Sequence, residues 1–289
     1  MQFYLGPLGD LRALPVIERD QTVEAAAGAV LAEHESLSGS RTVQRMGPHR
    51  RTWDLSWVYL TLDEADEIDA LRRGLLGSPL WLVDPNRPNL LPPQIATAGC
   101  ERRSTAGWTS SSGLRSWRRV TDLPARVRPR MNGVIEWERT STTVGALSVG
   151  RNTRAQQTPA LPHGGMVVVA GWVRRTSATP SAVRFGLDVW NTAGARSTYL
   201  GAPVTPGGWV DLTYTMMLPP GSAAFSPVWL VDAGQPAATL QVTAPRAGYG
   251  AIAPDPSSGG GAAVVYVRNM PETYPSLGEV STGLTLVES

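Results

Sequence analysis

The stretch from Arg51 to Asp84 constrains the fold more than any other, because strand, helix and strand signals follow one another in it without a break. In Thr52-Trp53-Asp54-Leu55-Ser56-Trp57-Val58-Tyr59-Leu60, large apolar groups at Trp53, Leu55, Trp57 and Tyr59 alternate with Thr52, Asp54 and Ser56. That is the period of a half-buried strand. A slip of one residue would expose both tryptophans, so burial fixes the register. Thr61 stands where an N-cap belongs and Glu64 completes a capping box. The spacing predicts a helix over Leu62 to Leu76 that buries Leu62, Ala65, Ile68, Leu71 and Leu75. Asp63, Glu64, Asp66 and Glu67 lie early in it, Arg72 and Arg73 late, as the helix dipole favours. Gly74 or Gly77 can end it, and Leu80-Trp81-Leu82-Val83 leaves as a second strand before the Pro85 to Pro88 break. Nothing in this unit can do chemistry.

Around it the chain changes character twice. Residues 1 to 50 offer a short apolar piece at Phe3-Tyr4-Leu5-Gly6 and a segment in which Pro15 argues against a central strand. Val23 to Leu31 is alanine-rich and reads as helix or extended chain, and Ser36 to Pro48 as a polar connecting loop. After Pro88 helical patterns disappear. Short candidate strands follow between Gly, Pro, Ser and Thr: Leu114 to Val120, Ala125 to Met131, Val134 to Arg139, Met166 to Arg175 and Ala182 to Trp190. Trp209 to Leu218, Ser226 to Asp232, Thr239 to Thr243, Ala262 to Arg268 and Gly283 to Glu288 continue the series. Many short strands between turn signals read as an antiparallel sandwich or jelly roll, with Gly248 to Gly261 as a mobile loop.

Residue types exclude several kinds of function. All 26 basic residues are arginine, which rules out a P-loop lysine and every Schiff-base mechanism. One cysteine, Cys100, cannot pair within the chain, and three scattered histidines cannot by themselves build a zinc site. No apolar run approaches a membrane span, and the first residues lack a signal peptide's pattern, so synthesis in the cytosol without export by the general route is expected. The net charge of +2 points to no particular partner. Glu136 and Glu138 share a face beside Trp137, and Asp188, Asp211 and Asp232 lie near other strands. A glycosidase needs two carboxylates at a set separation across a cleft, which a sequence does not show. With no nucleophile elbow, metalloprotease helix or phosphate loop, the expectation is a non-enzyme without catalytic residues, metal or cofactor.

Two groups of residues invite binding hypotheses. Trp172, Trp190 and Trp209 fall in alternating strands and are expected between sheets, whereas Trp108 and Tyr249, in glycine- and serine-rich surroundings, are the candidates for glycan contact. Arginines run from Arg102 and Arg103 through Arg115, Arg118, Arg119, Arg126, Arg128 and Arg130, opposed only by Glu101 and Asp122. On a strand Arg126, Arg128 and Arg130 would share one face, suited to solvent, to a subunit contact or to an anionic polymer.

The Trp53 to Leu60 strand, the following helix and Leu80-Trp81-Leu82-Val83-Asp84-Pro85 resemble the N-terminal part of distal tail proteins and minor tail proteins of long-tailed actinobacterial phages. That resemblance implies a β-barrel with one flanking helix over residues 1–88. It further implies assembly into a hexameric ring between the tail tube, the tape measure and the tail hub, in a virion made in the host cytoplasm. Trp57 and the Arg126, Arg128, Arg130 group are then candidate interface residues. Asn89-Leu90-Leu91, Gly107-Trp108, Gly171-Trp172-Val173-Arg174, Val183 to Trp190 and Pro206 to Thr213 resemble jelly-roll carbohydrate-binding modules, over residues 89–275. Such a module would recognise host cell-surface polysaccharide. The ending, Gly283 to Glu288 within 276–289, is similar to actinophage tail proteins in which a last strand can rejoin the first domain. The expected fold class is mainly β: a barrel with a flanking helix, then an antiparallel sandwich. The expected function is a structural tail protein, with a polysaccharide-binding module or adhesin as the alternative.

Overall fold

The computed structural model describes residues 2–15, 24–35, 41–100, 103–128, 131–150, 157–162, 164–269, 272–276 and 279–289. The chain forms β1 (Tyr4–Gly6), β2 (Arg12–Ala13), β3 (Glu24–Glu35), β4 (Arg41–Leu60), α1 (Leu62–Arg72), β5 (Leu80–Val83) and α2 (Pro93–Ala96). Then come β6 (Trp108–Ser110), β7 (Leu114–Arg119), β8 (Gly133–Arg139), β9 (Gly145–Val149), β10 (Thr158–Pro159), β11 (Met166–Arg175) and β12 (Arg184–Asn191). The last are β13 (Arg196–Leu200), β14 (Val210–Met217), β15 (Ser222–Val231), β16 (Ala238–Tyr249), β17 (Ala262–Asn269), β18 (Glu272–Ser276) and β19 (Glu279–Glu288). The protein is mainly β. Two compact units emerge, one of Met1–Pro7, Ala13–Leu82 and Ala263–Ser289, the other of Leu8–Arg12 and Val83–Ala262.

The first unit is built on an eight-stranded sheet of order β2-β1-β5-β17-β19-β4-β3, with β18 on β19. On β4 the alternation is realised: Trp53, Leu55 and Trp57 are buried while Asp54, Ser56 and Val58 face out. They pack with Ile68 and Leu71 of α1, Leu80 and Leu82 of β5, Val265, and Leu284 and Leu286 of β19. Trp57 is 2% exposed and donates its Nε1–H to the Pro15 carbonyl, 2.9 Å away, so its contacts are those of a core residue, not of a subunit interface. Arg51 closes the end of this core: it forks onto Glu288 at 2.9 and 3.0 Å and lies over the Trp53 ring at 4.7 Å.

Thr61 caps α1 as its sequence requires, accepting from the Glu64 amide while its own amide donates to Glu64. The helix ends earlier than the apolar spacing predicts. Gly74 takes the left-handed conformation, and the amides of Gly74 and Leu75 fold back onto the carbonyls of Leu71 and Ala70 in a Schellman turn. Leu75 therefore lies past the end of the helix, 71% exposed, and Leu62 in its first turn is also exposed. Only Ile68 and Leu71 of the expected apolar stripe are fully buried.

Two backbone assignments in this unit differ from local expectation. Residues 24–35, open between helix and extended chain, are strand β3, and residues 41–48, expected as loop, belong to β4. The reason is pairing between the two: register runs from Glu24 opposite Asp54 to Glu35 opposite Arg41. A shift between Gly28 and Val30 absorbs Gly47-Pro48-His49, so the proline sits at a bulge and costs no ladder bond. β17, expected at the end of the sandwich and within 89–275, instead pairs with β19, Val265 opposite Glu288 and Val267 opposite Leu286. β19 in turn pairs with β4, Leu284 opposite Leu55.

The second unit is an antiparallel sandwich of jelly-roll type, a six-stranded sheet (β13-β12-β15-β9-β6, with β10 on β15) against a five-stranded one (β14-β11-β16-β8-β7). Trp229 of β15 is its hub, with Phe185 at 4.9 Å and Trp108 at 5.7 Å between ring centroids. Gly171 of β11 faces that indole so closely that a Cβ there would lie 2.6 Å from it. The linker after Pro88 is sewn on by Asn89, fully buried. Its amide side chain donates to the Pro245 carbonyl (3.3 Å) and accepts from the Ala247 and Leu91 amides (3.2 and 3.3 Å).

Here too some local readings give way. Residues 125–128 form a turn, not a strand, because Val127 and Arg128 both donate to the Pro124 carbonyl and Val127 drops into a small core with Leu123, Met131 and Val134. Gly248 to Gly261 is less loop than expected. β16 reaches Tyr249, and the amides of Gly260 and Gly261 bond the carbonyls of Leu91 and Asn89. A Cβ on Gly259 or Gly261 would fall 2.3 or 2.1 Å from a main-chain carbonyl oxygen, so the glycine triplet is required by close backbone approach.

Candidate functional site

The outer face of the five-stranded sheet, away from the sandwich core, gathers polar and aromatic groups from four strands and the approach to a fifth. On β11 strand parity sends Gly171 and Val173 inward and Trp172 and Arg174 outward. Across the sheet, Ser116 of β7 is opposite Glu136 of β8, Glu136 opposite Gln241 of β16, and Gln241 opposite Arg174 of β11. These form one row perpendicular to the strands, about 14 Å long from β7 to β11. Trp209, just ahead of β14, continues it, its ring 4.6 Å beneath the Arg174 guanidinium.

The row is bound together end to end. Arg118 donates to Glu136 Oε1 (2.8 Å), Gln241 Nε2 to Glu136 Oε2 (2.8 Å) and Arg174 Nε to Gln241 Oε1 (2.8 Å). Arg174 also pairs with Asp122, whose carbonyl accepts from Trp209 Nε1 at 3.1 Å. That hydrogen bond from Arg174 is the main reason the Asp122 carboxyl is held below its ordinary range. One row along, Trp172 stands opposite Thr243 and Asp211, under the cover formed by Leu123, Val127 and Met131. Asp211 pairs with Arg246, yet burial outweighs that contact and pushes its carboxyl up. On the other side of the row the sheet is open: Leu114, Glu138 and Thr176 are exposed, and Thr239 is half-buried between them. The strip combines a half-exposed indole, fixed hydrogen-bonding groups and charges of both signs. That suits it to holding a polar ligand; Glu136, Asp122 and Asp211 are taken up in ion pairs, and Glu138 is exposed.

The residues singled out from sequence fall elsewhere. Trp108 is 1% exposed and stacked in the core on Trp229, so it cannot offer a face to a sugar; the Gly107 turn before it lets it fold inward as β6. Tyr249 donates its hydroxyl to the Pro159 carbonyl at 2.7 Å and meets Phe225 edge-on, which makes it a packing residue. Trp172 and Trp209, expected between the sheets, are half-buried on the outer face, whereas Trp190 is buried. Arg126 and Arg128 are exposed on the turn, and Arg130 lies outside the described residues. Asp188 is fully buried and accepts from Thr198 Oγ1 at 2.5 Å, and Asp232 pairs with Arg184 at 2.8 Å. Gln241 carries a signal that period-two reading can use, since Thr239, Gln241 and Thr243 alternate with apolar residues on β16; β11 offers no such alternation for Arg174. Among the described residues no cluster of three or more His, Cys, Asp or Glu could hold a metal ion, and no helix is long and apolar enough to cross a membrane.

Fold and site together define a two-sheet antiparallel sandwich with a polar, aromatic outer strip. No protein-family model and no curated protein matches the sequence. Among solved structures, the chain is similar to the enzymatically active domain of bacteriophage CBA120 tailspike protein 4, with a TM-score of 0.39 and 11% identity. That match covers 53% of this chain and 20% of the other. It is also similar to the CBM22-1 xylan-binding domain of Paenibacillus barcinonensis Xyn10C, with a TM-score of 0.37 and 15% identity, over 52% of this chain and 89% of that one. A third likeness is to TmCBM61, solved with β-1,4-galactotriose, at a TM-score of 0.34 and 11% identity, over 53% and 96% of the two chains.

Proposed function

We propose that the sandwich binds a polysaccharide of a bacterial cell surface, without acting on it chemically, and that the first unit joins it to a phage tail. The observation that carries this reading is the in-register row Ser116, Glu136, Gln241, Arg174 and Trp209 bordering the open strip of Glu138, Thr239 and Thr176. From Glu136 to Trp209 each side chain in the row is held by its neighbours, so little rotamer freedom remains to be lost when a sugar docks. The Trp209 indole, gripped by Arg174 on one side, supplies the apolar surface that a pyranose ring needs. Isothermal titration of the full chain against soluble bacterial wall polysaccharides tests it. Binding weakened at least tenfold by Trp209→Ala together with Glu138→Ala supports the site, and unchanged binding in a folded double variant refutes it.

The role in tail assembly has its own support. The distal half of β3, Val30 to Glu35, pairs with Arg41 to Met46, whereas β19 reaches along β4 only as far as Thr52. A two-stranded ribbon is marginal in water by itself, and a neighbouring subunit would complete it. Electron microscopy of tails carrying the protein would reveal it in a ring, with six copies expected. A monomer that never enters tails would sink this role.

A further inference from the structure

Arg103, Arg115 and Arg119 face solvent with no carboxylate partner among the described residues, whereas Arg126 and Arg128, also exposed, are within electrostatic reach of Asp211 and Asp122. The first three lie near Trp117 in the fold. Arg115 and Arg119 lie two residues to either side of it on β7, and therefore on the same side of that strand. Arg103 sits in the turn closed by the Ser104 amide on the Gly99 carbonyl, and a Cβ on Gly99 would be 3.3 Å from the Trp117 ring. The ring itself is seated on Gly133, where a Cβ would lie 2.5 Å from it, and remains half-exposed. β7 is the last strand of its sheet, so these groups lie along a free edge. The acids nearest in the chain do not offset them. Asp122 is paired with Arg174, Glu136 is paired with Arg118, and Glu138 is the one exposed acid left among the described residues from 103 to 139. Charges of one sign spread along this edge set up a local positive field that an anionic partner would neutralise.

We infer that this edge holds an anionic polysaccharide, one with a phosphate or carboxylate on its repeating unit, a conclusion that rests on the polysaccharide reading above. The guanidinium fork matches two oxygens of either group, and Arg115 and Arg119 stand about 13 Å apart along the strand, spaced for successive charges of a polymer. Trp117 between them gives apolar contact to the sugar. Nucleic acid fits less well. It calls for several stacking platforms in a basic groove, and here one half-exposed indole stands on a chain of net charge +2.

The test uses the full chain with poly(glycerol phosphate), polygalacturonate, a neutral mannan and single-stranded DNA. Both polyanions, or one of them, bind at least tenfold tighter than mannan at low salt. Arg115→Gln with Arg119→Gln abolishes that preference and lowers the slope of log affinity against log salt by about 1.4, for two lost contacts. Arg115→Lys with Arg119→Lys keeps most of the binding, which separates loss of charge from loss of fold. If mannan binds as tightly as the polyanions, or the glutamine pair keeps full affinity, the inference fails while the polysaccharide reading stands. If no glycan binds, both fail, and DNA binding tighter than any glycan overturns the choice of polymer.

Discussion

Arg139 is the residue whose removal is expected to damage the sandwich most. It is 1% exposed and has no carboxylate partner among the described residues; its five hydrogen bonds all go to main-chain carbonyls. Nε and Nη2 reach Thr143 at 3.2 and 2.8 Å, Nη1 reaches Gln235 and Pro236 at 3.1 and 2.9 Å, and Nη2 also reaches Asp232 at 3.4 Å. Two loops, 140–144 and 232–237, are thereby pinned to β8. Burial of the charge opposes this and pushes the guanidinium below its ordinary pKa. Five bonds at a net of about 1 kcal/mol each, less whatever the freed carbonyls recover from water, put Arg139→Ala at about 3–5 kcal/mol. Arg139→Lys, with three donors in place of five, should cost about half as much. Urea unfolding followed by tryptophan fluorescence reads this as a midpoint lowered by about 2 M for the alanine variant, taking a slope near 2 kcal/mol per molar. A loss below 1 kcal/mol would show that the loops hold their places unaided and that the carbonyl cage is incidental.

Three further outcomes follow from particular contacts. Trp57→Ala should cost about 3–5 kcal/mol as a buried core truncation; a variant as stable as the parent that fails to oligomerise would place Trp57 in an interface instead. Gly171→Ala must push back the Trp229 ring or the strand, at about 1–3 kcal/mol with an altered near-ultraviolet dichroism, and parent-like values for both would contradict the packing. The two shifted carboxylates act in opposite directions on pH. Asp122, held low by Arg174, contributes stability above its unfolded value near pH 4 and loses it as pH falls through the folded value. Asp211, held high by burial, contributes stability that is full below that value and lost as pH rises through its folded one. Asp122→Asn should therefore flatten the acid limb of a stability profile and Asp211→Asn the limb above pH 4, and identical profiles would refute both assignments.

How much was legible beforehand depended on how far apart in the chain the deciding partners lie. Trp53 to Leu60, the Thr61 capping box and the β8, β11, β12, β14 and β15 strands rest on periods and caps within a few residues, and the sequence pattern carries them. The candidate site is half legible: Glu136 and Glu138 share a face by their spacing, but that the row continues through Gln241 and Arg174 depends on registers set between residues 67 to 105 positions apart. Trp108 reads as exposed because its neighbours are glycine and serine; the Trp229 ring that buries it comes from β15, two strands away in the same sheet and 121 residues on in the chain. Residues 125–128 alternate like a strand, yet Pro124 and the pocket for Val127 make a turn of them.

By itself the sequence determined the class of the protein: mainly β, with one capped helix and arginine in place of every lysine. Only the tertiary structure decided which tryptophans lie on the outer face of the sandwich, that four carbonyls enclose Arg139, and that β17 and β19 join the sheet of β4 and β5. Periodicity fixes which side of a strand is apolar, a local property written every second residue. Which strand lies alongside is chosen by burial and pairing summed over the whole chain, and no short stretch of sequence contains that sum.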